Sequence, residues 1–168
     1  MMIEKAKKED YIYIYNISKE LNVKYNPNIE NGVLLRIIPK DFIKENIENF
    51  IVARIDEDIV GFLLFSTEYP IDMLSYTKTT DDIDNCIYCE QIAVKKGFQW
   101  RCIGKVLYGF LKNIFKEKGI IVYVNTAPEK NKASLAFHTS IGFNIVGEFF
   151  MEDFCGFKEY KANLLKLK

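Results

Sequence analysis

The order of apolar and polar positions divides the chain into short strands and amphipathic helices. Met2–Lys7 reads as a first strand. From Lys8 to Leu21, Ile14, Ile17 and Leu21 recur at helical spacing behind the acidic pair Glu9 and Asp10, which suits a helix N-terminus. Pro27, Asn28 and Gly32 mark a loop over 26–32, and Pro39 opens a second helix that runs to about Asn46. Two strands, Phe50–Ile55 and Ile59–Ser66, flank a hairpin turn at Asp56–Asp58. The polar stretch Glu68–Asn85, with Pro70 and a set of aspartates, reads as a long loop. Cys86–Val94 is a strand.

Gly104–Lys118 then reads as a helix with Val106, Leu107, Phe110, Leu111, Ile114 and Phe115 inward, capped by Gly119. Ile120–Asn125 is a strand, and Asn131–Ser140 a short helix closed by Gly142. The runs Phe143–Phe149 and Phe157–Leu167 complete a sheet. Strands and helices alternate only in the middle, with hairpins at both ends. That order predicts an α+β fold in α/β/α layers, with a mixed, mostly antiparallel sheet of six to seven strands and helices on both faces. With no linker, repeat or low-complexity tract, residues 1–168 read as one domain.

Composition narrows the class. Apolar residues are 49% of the chain and charged residues 27%, a globular balance. Lys plus Arg and Asp plus Glu both number 23, so the formal charge is zero. A neutral chain argues against non-specific nucleic-acid binding, which requires a basic surface. No apolar run has the length of a membrane span and the first residues are not those of a signal peptide, so a cytoplasmic protein is expected. Cys86 and Cys89 form a CxxC pair. A structural zinc site requires two further ligands, and Cys102, Cys155 and His138 lie at no paired spacing. The reading is two strand cysteines and no metal.

The chemistry concentrates in Gln91–Gly109, QIAVKKGFQWRCIGKVLYG. An apolar strand gives way to a polar loop, and Gly104 opens a helix. A helix N-terminus after such a turn presents free backbone N–H groups to one point, which suits a phosphate or pyrophosphate. The loop Gln99–Lys105 is therefore expected to hold an anionic, nucleotide-like ligand. The segment is not a Walker loop: six residues separate Gly97 from Gly104 where the motif has four, and Val106 stands at the hydroxyl position. It is not a GxGxxG dinucleotide fingerprint either.

Two blocks resemble the GCN5-related N-acetyltransferase family. Gln99-Trp100-Arg101-Cys102-Ile103-Gly104 is similar to the family's acyl-CoA loop, and the preceding Ile92-Ala93-Val94 to its fourth strand. Asn131-Lys132-Ala133-Ser134, followed by Phe137-His138 and Gly142-Phe143, resembles the second block. The resemblance implies a sheet whose fourth and fifth strands splay, with acetyl-CoA as cosubstrate. It implies that backbone groups of Ile92, Ala93 and Val94 meet the pantetheine, and that Gln99, Trp100, Arg101, Cys102, Ile103, Gly104 and Lys105 surround the pyrophosphate. It also implies that Asn131 and Ser134 touch the cofactor, beside their plain role at a helix start. His138 stands where most relatives carry the tyrosine that protonates the departing thiolate. It is read as that acid, a role for which a modest upward pKa shift would suffice.

Two features depart from or extend the pattern. Cys102 replaces the family's first glycine, where a side chain can crowd the pyrophosphate. Glu90, which shares a face with Ile92 and Val94 if no bulge intervenes, is the candidate base; a solvated strand glutamate is the competing reading. The implied function is direct transfer of an acetyl group to a primary amine in a ternary complex. The acceptor is a small molecule or a peptide. A non-catalytic CoA-binding regulatory module is the alternative, and a homodimer built on an exposed edge strand the third reading.

Overall fold

The computed structural model describes residues 1–27 and 32–168, so part of the loop expected over 26–32 lies outside the described residues. The strands are β1 (Met2–Lys5), β2 (Phe50–Ile55), β3 (Asp58–Ser66), β4 (Thr77–Thr79), β5 (Cys86–Val94), β6 (Gly119–Ala127), β7 (Asn144–Phe154) and β8 (Phe157–Leu167). The helices are α1 (Tyr11–Glu20), α2 (Lys40–Glu45), α3 (Ile71–Leu74), α4 (Ile103–Ile114) and α5 (Lys132–Ser140). The strands hydrogen-bond in the order β1-β2-β3-β5-β6-β8-β7-β4, an open sheet of eight. The pairs β1–β2, β2–β3, β4–β7, β6–β8 and β7–β8 are antiparallel, and β5–β6 is parallel. The fold class is thus the α+β arrangement expected from the alternation of elements, with one short strand more.

The chain divides into two compact units. The first comprises Met1–Pro27, Leu34–Phe65 and Cys89–Lys116. Its core forms where α1 and α2 lay Ile14, Ile17, Leu21 and Ile43 on Phe50 and Val52 of β2 and Phe62 and Leu64 of β3. Alternate strand residues point to opposite faces. Phe65, of the other parity, meets Phe115 at the end of α4 with ring centroids 5.5 Å apart. Helices therefore cover both faces of these strands. Burying each such aromatic side chain contributes about 2–3 kcal/mol. An ion-paired cluster closes the edge: Arg54 Nη2 donates to Asp10 Oδ1 at 3.0 Å and Arg54 Nε to Glu4 Oε1 at 3.1 Å.

The second unit comprises Ser66–Tyr88 and Glu117–Lys168, with the described residues just before Leu34. Its core includes Ile83, Cys86, Ile121 and Leu164, with Tyr69, Tyr88, Tyr123 and Val146 packed against them. The β5–β6 ladder has three pairs, Cys86↔Gly119 to Tyr88↔Ile121, although each strand is nine residues long.

Three expectations are corrected. Glu68–Asn85 is not one long loop: it contains α3 and β4, and β4 pairs with β7 from Thr77↔Phe149 to Thr79↔Gly147. The buried stripe of α4 is Ile103, Gly104, Leu107, Tyr108 and Leu111, while Val106 and Ile114 are exposed. The apolar arc of that helix is wider than the strip the sheet covers, so periodicity alone rotated the inward face. Gly119 does not cap α4. It starts β6, its N–H donates to Asn85 O at 3.1 Å, and a Cβ there would stand 2.8 Å from Cys86 Sγ.

Candidate active site

The segment from Gln91 to Lys116 carries six cations, Lys95, Lys96, Arg101, Lys105, Lys112 and Lys116, and no carboxylate. A chain with zero formal charge thus concentrates positive charge on one strand, loop and helix. Gly97 turns at φ 83°, and Trp100 and Cys102 both adopt left-handed φ, 66° and 61°. Cys102 is the N-terminal flank of α4, and its carbonyl accepts from Val106 N at 3.1 Å. Among the described residues, the amides of Trp100, Cys102, Ile103, Gly104 and Lys105 donate to no group of the protein. Successive unbonded N–H groups at a helix start, with cations beside them, form an anion cradle. Arg101 is exposed and lies over the Phe98 ring, its guanidinium carbon 5.3 Å from the centroid. Gln99 Nε2 donates to Val94 O at 3.4 Å, tying the loop to the strand.

Cys102 stands where a glycine would be unstrained. A β-carbon in the left-handed region costs about 1–2 kcal/mol. The side chain is exposed, so the strain is local and not a matter of packing.

Strand β5 changes face within its length. Cys89 Sγ accepts from the Tyr108 hydroxyl of α4 at 3.2 Å. Ala93, four residues on, packs with the α1 and α2 core instead. Val94 lies with Ile103 of α4, since a Cβ at Gly61 would meet both at 3.5 and 3.3 Å. Strict alternation would keep Cys89 and Ala93 on one side. An extra residue must intervene, as in a β-bulge. Glu90 follows Cys89, which faces Tyr108 of α4, and so lies on the opposite face, while Val94 lies with Ile103 on the α4 side; the bulge-free expectation that Glu90 shares a face with Val94 is corrected. Burial raises the Glu90 pKa, and Arg36 opposes that rise. Gln91 Oε1, one residue on, is a buried side-chain oxygen without a hydrogen-bond partner.

Asn131, Ser134 and His138 belong to the second unit. Asn131 is buried and caps α5: its Oδ1 accepts from Ser134 N at 3.0 Å, and its Nδ2 donates to Val33 O at 3.5 Å. The plain helix-start role is therefore real. His138 is 1% exposed, with its ring edge-on to Phe137 and Phe143 at 5.0 and 5.1 Å. Nδ1 lies 2.7 Å from Ser134 O, which requires the proton on Nδ1, and 3.3 Å from Ser134 Oγ. Burial pushes its pKa down to about 4, with the Ser134 carbonyl opposing. The upward shift expected of an acid is thus corrected: desolvation disfavours the imidazolium, and the ring is neutral at pH 7.

The two CxxC cysteines have separate surroundings. Cys86 packs with Ile83, Ile121 and Leu164, whereas burial pushes the Cys89 thiol up to about 12. The buried Cys89 is thereby kept in its thiol form at neutral pH. Among the described residues no helix is long and apolar enough to cross a membrane.

Residues 8–143 match the family model described as "Acetyltransferase (GNAT) family". No curated protein sequence matches the chain significantly. Among solved structures, a Streptococcus mutans protein superposes with a TM-score of 0.73 at 20% identity, over 100% of this chain and 99% of that one. A ribosomal-protein-alanine N-acetyltransferase from Brucella melitensis gives 0.70 at 18% identity, over 99% of each chain. A PaiA N-acetyltransferase from Thermoplasma acidophilum, solved in complex with coenzyme A, gives 0.68 at 17% identity, over 99% and 98%. At these identities the structures show a common fold, and the family match spans most of the sequence. The strand–loop–helix with its unbonded amides and the matched residues lead to one conclusion: the chain belongs to the acetyltransferase (GNAT) family.

Proposed function

We propose that residues 1–168 act as one acetyl-CoA-dependent N-acetyltransferase that moves the acetyl group to a primary amine by direct attack. The observation that carries this reading is the row of unbonded amides at Trp100 and Cys102–Lys105 beside Arg101 and Lys105. Those groups would hold the pyrophosphate, and Gln99 would keep the loop on the end of β5. Acetyl-CoA supplies an activated thioester carbonyl. Backbone groups of Ile92, Ala93 and Val94 would align the pantetheine as an added strand, and a backbone N–H of β5 would receive the developing oxyanion.

Glu90 is the base in this reading. Its raised pKa brings a carboxylate nearer to the operating pH, where it can take a proton from the attacking nitrogen. The nitrogen forms a bond to the carbonyl carbon, the carbon–sulfur bond breaks, and the thiolate leaves. A thiol of ordinary pKa, about 8.5, is a good enough leaving group for solvent to protonate. A neutral His138 with its proton committed to Ser134 O is assigned to packing and not to that step. Asn131 and Ser134 hold the start of α5, where Asn131 Oδ1 accepts from Ser134 N.

The test is calorimetry with CoA, followed by release of free thiol from acetyl-CoA in the presence of n-pentylamine, 1,4-diaminobutane and a tetra-alanine peptide with a free N-terminus. Micromolar CoA binding with amine-dependent thiol release supports the proposal. No binding of CoA overturns it. Binding without release from any amine would favour the regulatory-module reading, which the strained Cys102 and the neutral His138 also suit.

A further inference from the structure

Gln91 breaks a rule that the buried polar side chains of the first unit otherwise obey. Arg54 donates to Asp10 Oδ1 at 3.0 Å, Ser18 Oγ accepts from Ile38 N at 2.8 Å, and Asn22 Nδ2 donates to Leu34 O at 3.2 Å. Gln91 is half-buried, yet its Oε1 is shielded from solvent and meets no donor among the described residues. A buried amide oxygen without a donor lowers the stability of the free protein and calls for a cause.

Gln91 is also where the alternation of β5 fails. Counted forward from Cys89, which faces Tyr108 of α4, Glu90 lies on the far side and Gln91 should return to the α4 side. Counted back from Ala93, which packs in the α1 and α2 core, Ile92 lies toward α4 and Gln91 should lie away from it. The two counts conflict at this residue, which places the extra residue of the bulge at Gln91. A bulge re-aims a side chain, and the one re-aimed here ends in the unmatched oxygen. Its chain neighbours are Glu90, the base of the reaction proposed above, and Ile92, the first residue of the tract that would align the pantetheine. All three belong to the first unit.

An uncharged amide oxygen accepts a hydrogen bond and cannot donate one. It suits an N–H group and not a phosphate, carboxylate or carbonyl oxygen. We propose that Gln91 Oε1 accepts from an N–H of a bound substrate, an amide of the pantetheine arm or the attacking amine, and is left unmatched until that group arrives. This rests on the acetyltransferase reading above, and adds a side-chain acceptor to a cradle otherwise made of backbone groups. It also makes the site selective. A ligand with an oxygen or a methylene in place of the N–H leaves the buried oxygen unpaired and is discriminated against.

The experiment uses Gln91→Met, which keeps the length of the side chain and removes the oxygen, with Gln91→Leu, of another shape, beside it. Both should melt about 3 °C above the parent, because the unmatched oxygen is gone, with circular dichroism unchanged. Calorimetry with CoA and with its nucleotide fragment that ends at the pyrophosphate reads the pantetheine. The kcat/KM for n-pentylamine, 1,4-diaminobutane and the tetra-alanine peptide reads the amine. With a pantetheine amide as the donor, both variants bind CoA about tenfold more weakly and the fragment as the parent does. With the amine as the donor, CoA affinity stays within twofold and kcat/KM falls about tenfold. Either result supports the inference. If neither variant melts above the parent, a water already satisfies the oxygen and the inference is overturned. It is overturned as well if CoA affinity is unchanged and kcat/KM is unchanged, or the parent has no turnover to change. A parent that binds no CoA is a different failure: it overturns the acetyltransferase reading, and this inference with it.

Discussion

The most direct test of the electrostatics concerns His138. Burial lowers its pKa from 6.5 to about 4. The unfolded chain takes up this proton below about pH 6.5, the folded chain only below about pH 4. The contribution is therefore fully present above pH 6.5, shrinks as the pH falls, and is lost by about pH 4. The gap corresponds to about 3 kcal/mol, of which about 2 are gone at pH 5. The chain has a single histidine, so no second imidazole blurs the window. Glu90 acts with the opposite sign. Its raised folded pKa makes the folded state bind its proton more readily, so stability rises as pH falls through its range. The difference between parent and His138→Asn removes that common contribution. Urea denaturation at pH 7.5, 6 and 5 should show the parent losing about 2 kcal/mol more than the variant between the first and last. Parallel curves would refute the assignment of a neutral buried imidazole. Turnover offers a second reading: His138→Asn should keep more than a tenth of the parental kcat, because loss of a general acid costs about 100-fold or more.

Three further outcomes follow from the loop and the strand. Arg101→Ala should weaken CoA about tenfold and leave pantetheine unaffected, read by calorimetry at fixed salt, because one charged contact to phosphate contributes about 1.5 kcal/mol. Cys102→Gly should raise stability by about 1 kcal/mol in thermal denaturation, since it relieves a β-carbon at φ 61°; a lower melting temperature would mean that the thiol makes a contact that matters. Glu90→Gln should lower kcat/KM about 100-fold and remove the acid limb of the pH–rate profile, with CoA affinity retained; an unchanged profile would move the base elsewhere.

The elements that were legible are those whose signal is local. The nine residues of β5 follow from a mostly apolar strand run, broken only by Glu90 and Gln91 and bounded by Asn85 and Lys95. The start of α5 follows from Asn131, whose side chain caps it as a polar residue at that position should. The loop at Gln99–Lys105 was legible because a strand, a turn and a helix N-terminus in series define where the unbonded amides must fall. The concentration of six cations between Gln91 and Lys116 was also readable and adds to that signal. The elements that were missed depend on partners distant in sequence. Thr77–Thr79 is a strand only because β7 offers an edge to it. Gly119 looked like a helix cap because nothing nearby in sequence tells that Cys86 Sγ would occupy its β-carbon position.

Taken alone, the sequence determined the order and type of most elements, the place of the turn whose amides are left unbonded, and the family. Each rests on short-range patterns: hydrophobic period, capping residues, and two motifs a helix and a strand apart. Tertiary structure decided the chemistry of individual groups. The face of Glu90 depends on an extra residue within β5 that no local pattern marks. The charge of His138 depends on how much water Phe137, Phe143 and the rest of its surroundings remove. The direction of the Tyr123 hydroxyl depends on Thr77, which donates its own proton to Met73 O at 2.8 Å and so accepts from Tyr123 at 2.6 Å. Desolvation and hydrogen-bond direction are properties of a three-dimensional neighbourhood, and residue spacing does not carry them.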